Sequence, residues 1–176
     1  MNKNENGIKI DRINGKNHMK KTLLFSLFLI TLSLLSQNAN AQYKHAIGGR
    51  FGAANGISFK TFNHNYDRAL DLILNFQSRN DYSYFRFTGL YEIHQDIENA
   101  DGLRWYYGFG GTLGSRNYKP TDNNELLLGI DGVIGLDYKF NGVPINLSLD
   151  WKPTLEVAPN TGLNAEGVGL SFRFTF

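Results

Sequence analysis

The feature that most constrains this chain is a strict alternation of large apolar side chains with small or polar ones. In the last segment, "GVGLSFRFTF" (167–176), Val168, Leu170, Phe172, Phe174 and Phe176 alternate with Gly169, Ser171, Arg173 and Thr175. Successive side chains of a strand point to opposite faces, so a period of two sorts them into an apolar and a polar face. The pattern recurs in eight segments, roughly 44–53, 56–62, 68–77, 82–94, 102–114, 125–140, 143–153 and 163–176. Between them lie "AANG", "NHNYD", "SRND", "HQDIENADG", "SRNYKPTDNN", "NG" and "APNTG", all of turn or loop composition. No stretch of residues 42–176 joins a helical period to helix caps. Even strands without intervening helices predict an all-β fold, an eight-stranded antiparallel up-and-down barrel.

A separate signal precedes the strands. Lys20 and Lys21 follow Met19, "TLLFSLFLITLSLL" (22–35) is uninterrupted by charge, and "SQNANA" places Ala39 and Ala41 at −3 and −1 of a cleavage site before Gln42. This is the pattern of a secretory signal peptide over 19–41, and the apolar run is short of the ~20 residues a spanning helix needs. Residues 1–18 read as an upstream extension from an early start, and 42–176 as the mature domain. The leader takes six Lys/Arg and two Asp/Glu with it, so the whole-chain charge of +2 becomes −2 in the mature chain. Nucleic acid is therefore not an expected partner. With no cysteine, neither a disulfide framework nor a lipid-carrying Cys is available.

"YKFNGVPI" (138–145) suggests a hairpin turning at Asn141-Gly142. That turn would oppose Phe140 with Val143, Tyr138 with Ile145, Leu136 with Leu147, Ile134 with Leu149, and Gly132 with Trp151. On the other face it would pair Asp137 with Asn146, Gly135 with Ser148, and Asp131 with Lys152. Similar sorting puts Leu103, Trp105, Tyr107, Phe109 and Leu113 on one face of their strand, and Leu70, Leu72, Leu74 and Phe76 on one face of theirs.

Alternation does not say which face is outside; bulk does. An eight-stranded barrel has an interior just wide enough to be filled by side chains. The Phe, Tyr, Trp and Leu face is too bulky for it, whereas glycines and serines beside long charged residues fit. Arg50, Lys60, Asp71, Arg86, Glu92, Arg104, Asp131, Asp137, Asp150, Lys152 and Arg173 all fall on the polar face. On a lipid face, an Arg or Lys at the midplane would cost roughly 2–4 kcal/mol. Inside, both signs can pair and close the lumen, so the expectation is a transmembrane barrel with a plugged polar interior rather than a wide pore. A secreted soluble barrel holding an apolar ligand is the alternative reading.

"GLRWYYGFGG" (102–111), "GIDGVIGLDYKFNGVPINLSLDWKP" (129–153) and "GLSFRFTF" (169–176) resemble the small outer-membrane β-barrel proteins of Bacteroidetes-type Gram-negative bacteria, OmpA/OmpX-like in size with no appended domain. The resemblance implies outer-membrane lipid as surroundings, periplasmic termini, a monomer, and insertion by the barrel-assembly machinery. That machinery reads a C-terminal pattern here represented by Gly169, Phe172 and Phe174, with Phe176 at the end. It also implies that loops 115–124 and 154–162 face outward, where an extracellular partner could bind.

Chemistry candidates are few. "GFGGTLG" (108–114) has glycines inside an alternating strand and no following helix to receive a phosphate, so it reads as barrel strand. A lipid-modifying barrel enzyme would need a general base near the outer rim. His45, His64 and His94 all map to the periplasmic end. No catalytic residue, cofactor or metal ligand set is therefore expected.

Overall fold

The alternating segments become strands because one face of each can be buried while every backbone group pairs with a neighbour. The computed structural model describes residues 43–78, 82–118, 123–165 and 167–176. Residues 1–42, with the expected leader and its expected cleavage site at Ala39, Ala41 and Gln42, and residues 79–81, 119–122 and 166 lie outside the described residues. The strands are β1 His45–Gly52, β2 Gly56–Phe62, β3 Arg68–Ser78, β4 Tyr82–Asp96, β5 Leu103–Tyr118, β6 Asn123–Lys139, β7 Ile145–Trp151, β8 Thr154–Ala158, β9 Gly162–Asn164 and β10 Val168–Thr175. β7 and β8 both pair with β6 and form one stave; β9 pairs with β8 and β10 with β7, forming another. Eight staves result, each antiparallel to its neighbours.

β1 pairs with β10, which closes the barrel. At its edge, His45 and Phe176 exchange backbone hydrogen bonds of 2.9 and 2.8 Å, so the last residue completes the closing ladder. Following directly opposed residues once round the barrel returns to β1 ten residues further along. Strand number and stagger together fix the tilt, typically ~35–45°, and hold the interior to side-chain width.

Burial alternates with the sequence. In β10, Gly169, Ser171, Arg173 and Thr175 are buried while Val168, Leu170 and Phe172 are exposed. Phe109, at 65 % exposure, and Ile130, at 59 %, belong to a continuous outer belt with Leu113, Ile134, Leu149 and Phe172. No ordinary soluble monomer exposes so large an apolar surface. The polar face is inside, so a soluble barrel with an apolar interior does not describe this fold; the outer belt is what a transmembrane barrel turns to lipid.

Two expectations are corrected. The hairpin after β6 does not turn on two residues. Ile134 opposes Trp151, Leu136 opposes Leu149, and Tyr138 opposes Leu147, a register displaced by two residues from the expected one. Phe140 N–H donates to Ile145 O at 3.1 Å across a four-residue loop in which Gly142 has φ 76°. Pro144 lacks an N–H and accepts through its carbonyl from Thr175 N–H at 3.0 Å on the β10 side, while pairing with β6 begins at Ile145. Lys139 Nζ fastens the loop by donating to the carbonyls of Phe140 (2.8 Å) and Val143 (2.6 Å). A shift of two preserves facing, which is why apolar still opposes apolar. Trp151 covers Ile134 rather than Gly132, and Gly132 N–H donates to Pro153 O at 3.0 Å.

The second correction concerns 154–162. Most of that segment is strand: β8 continues the stave past Pro153 with Thr154 inward and Leu155 outward, leaving 159–161 as the tip before β9. Likewise β5 runs to Tyr118 and β6 starts at Asn123, so the segment 115–124 is largely ladder.

Candidate functional site

Inward positions of neighbouring strands converge on the axis, and all eleven charged residues expected inside lie there. Each one joins an ion pair. Near the end of the barrel that holds the termini, Lys60 Nζ lies 2.8 Å from Glu92 Oε2, 3.5 Å from Asp137 Oδ1 and 3.9 Å from Asp71 Oδ2. It also sits 4.3 Å from the centre of the Tyr106 ring. Arg173 uses its whole fork: Nη2 meets Asp71 at 2.8 Å, Nε donates to Ser58 Oγ at 2.7 Å, and Nη1 donates to Ser148 Oγ at 2.7 Å and Asn146 Oδ1 at 3.2 Å. Arg104 lies 3.6 Å from Asp137 and stacks over Phe62 at 4.6 Å.

Tyr43, just before β1, closes this end by donating to both Asp137 oxygens at 3.2 and 3.3 Å. Burial, with the Asp137 carboxylate adding to it, pushes the Tyr43 phenol well above the ordinary tyrosine range. It therefore remains a donor. His94 stacks on Tyr106 with ring centres 4.8 Å apart and meets Glu92 at 2.9 Å. His94 Nδ1 and Glu92 Oε1 are buried without a hydrogen-bond partner among the described residues.

Midway along the axis Arg50 grips Asp150 with two parallel hydrogen bonds, one of 2.6 Å, and Tyr106 O–H donates to the same carboxylate at 3.0 Å. A small apolar cluster of Ile73, Leu90, Tyr106 and Val133 fills the space beside them. Towards the other end, Lys152 Nζ pairs with Asp131 at 2.6 Å, and Thr112 donates to the second Asp131 oxygen at 2.6 Å. Arg86 pairs with Glu156 at 3.0 Å and lies over the Tyr84 ring at 4.7 Å.

Sequence reasoning missed several members of this interior. Glu156, which the turn composition assigns to a loop, is an inward residue of β8 and pairs with Arg86. Its signal was the alternation "TLEVA", obscured by the flanking prolines at 153 and 159. Tyr43 lies before the first strand and carries no pattern. Tyr106 fell on the polar face but could not be recognised as a hub for Lys60, His94 and Asp150.

Of the C-terminal positions, Gly169 faces inward, Phe172 and Phe176 are exposed on the outer surface, and Phe174 is half-buried against its neighbours. The rings of Phe174 and Phe176 stack 6.4 Å apart. The histidines among the described residues are dispersed at the terminal end: His45 bonds Thr61 at 2.9 Å, His64 lies in the β2–β3 turn, and His94 is inside.

No family model matches the chain, and no curated protein matches it. Among solved structures it is similar to the crystal structure of Neisserial surface protein A, with 13 % sequence identity, coverage of 75 % of this chain and 93 % of that one, and a TM-score of 0.48.

What the interior can do chemically follows from its pairing. Charges withdrawn from water carry desolvation penalties of several kcal/mol each, offset only when partners and remaining hydrogen bonds are supplied. Here nearly every inward charge has both. The arrangement is suited to holding eight staves in one register.

Proposed function

We propose that this protein is an outer-membrane barrel of a Gram-negative bacterium, inserted with both termini in the periplasm, whose interior is a plug of paired charges rather than a pore. Its role in this reading is structural or one of surface interaction through the loops opposite the termini, with no catalytic residue, cofactor or metal assigned. The observation that carries the reading is the division of faces: apolar side chains outward over the whole belt, and twelve charged side chains inward in mutual pairs. Surrounding lipid then solvates the outer face, and the ion pairs replace water inside.

The test is fractionation of cells expressing the full chain, with gel migration before and after heating. A heat-modifiable band in the outer-membrane fraction is expected; a protein soluble without detergent overturns the reading. In planar bilayers the purified barrel is expected to show no stable conductance. A steady channel would remove the plug while leaving the membrane location standing.

A further inference from the structure

At the end of the barrel opposite the termini the interior opens into a cavity of about 470 Å³. Its size is within the range of small-ligand sites, though its lining is far more polar than most. Arg50, Arg86, Arg116 and Lys152 line it together with Asn75 and Tyr84, and no carboxylate is among the lining residues described. From this we propose that the cavity binds a small, multiply charged phosphate-bearing anion.

The neighbouring carboxylates do not fill that role. Asp150 holds Arg50, and Asp131 holds Lys152, with carboxylate side chains only 3 % and 0 % exposed. They pin the two cations from below and from the wall. Glu125 stands opposite Arg116 in the β5–β6 register. Glu156, partly accessible, stands against Arg86 and engages only its Nη2. The Arg86 Nε is buried with no hydrogen-bond partner among the described residues. A guanidinium presents Nε and Nη as a planar fork matched to two oxygens of one phosphate. Glu156 thus occupies one tine of a fork whose other tine awaits an acceptor, acting as an internal competitor for the ligand. Apolar ligands find little here, since Ala53, Ala54 and Val168 are the apolar side chains in the lining.

The chemistry of the cavity is independent of how the barrel is oriented in a membrane, so binding in detergent tests it apart from insertion. The mature chain, refolded in a neutral detergent at low salt, would be titrated calorimetrically with inorganic pyrophosphate. Saturable binding at one site is expected. Arg86→Gln should weaken it at least tenfold, and Glu156→Gln should tighten it several-fold by releasing the fork. A gain in affinity cannot come from misfolding, and retention of the heat-modifiable band checks both variants. Repeating the titration in micelles doped with an anionic phospholipid assigns the source: blocked binding points to a lipid phosphate, unchanged binding to a soluble one. The proposal fails if wild type shows no saturable binding, if sucrose binds equally well, or if Glu156→Gln weakens binding as Arg86→Gln does.

Discussion

The two halves of the barrel interior are built from the same alternation and end up differently. The half nearer the termini is closed: Lys60, Glu92, Asp137, Arg104 and Arg173 interlock with Tyr43, Phe62, His94 and Tyr106. The half away from them is open, with cations arrayed around a cavity. The difference is one of partners: carboxylates and rings meet the cations of the closed half, whereas the described residues lining the cavity include no carboxylate. Inward glycines occur in both halves: a Cβ at Gly110 or Gly114 would strike the carbonyl oxygen of Gly89 or Phe85, and one at Gly48 or Gly108 that of Phe172 or Tyr91. Alternation decides which face is inside; the side chains brought in by neighbouring strands decide how the inside is filled.

Breaking the closed half at Arg173 should have the largest effect. Arg173→Leu leaves Asp71 buried without its closest cation, and the loss expected on equilibrium urea unfolding is about 3–5 kcal/mol. Adding Asp71→Asn should return a substantial part of it; a double variant no more stable than the single would show that the pair is not the source. On the outer face, Leu170→Arg in the middle of the belt should cost roughly 2–4 kcal/mol in a bilayer, and Leu126→Arg at the far end of β6 only about 0–1. Equal costs at the two positions would contradict the placement of the belt in lipid.

The open half is tested at Gly110. Gly110→Ala places a methyl against a backbone carbonyl that has no rotamer with which to retreat, and overpacking of this kind costs typically ~1–3 kcal/mol. A change within ~0.5 kcal/mol would mean that the neighbouring strand yields, and that the close approach of the two strands is not rigid.

The closure at Tyr43 rests on a single donor. Tyr43→Phe removes one donor from Asp137 and should cost about 1.5–3 kcal/mol at most, the range for a hydrogen bond to a charged group. Because its phenol is held above 10.0 in the folded state, its contribution is complete below that value and declines as pH rises towards and past the folded one. The wild type should therefore lose stability at strongly alkaline pH more steeply than Tyr43→Phe. Parallel curves would remove Tyr43 from the plug.

The sequence alone carried the architecture: eight alternating segments, a bulky apolar face that an eight-stranded interior cannot contain, and eleven charges on the opposite face. Period-two patterning is local, and it survives a register error of an even number of residues, as the hairpin at 140–145 shows. Tertiary structure decided what depends on partners from other strands. The β6–β7 register moved by two, Glu156 turned inward where flanking prolines suggest a loop, and Tyr43 reached Asp137, 94 residues away in sequence. Which cation meets which carboxylate, and where the interior keeps a cavity, follows from closure, tilt and stagger. Those are properties of the closed ring of staves, and no single strand encodes them.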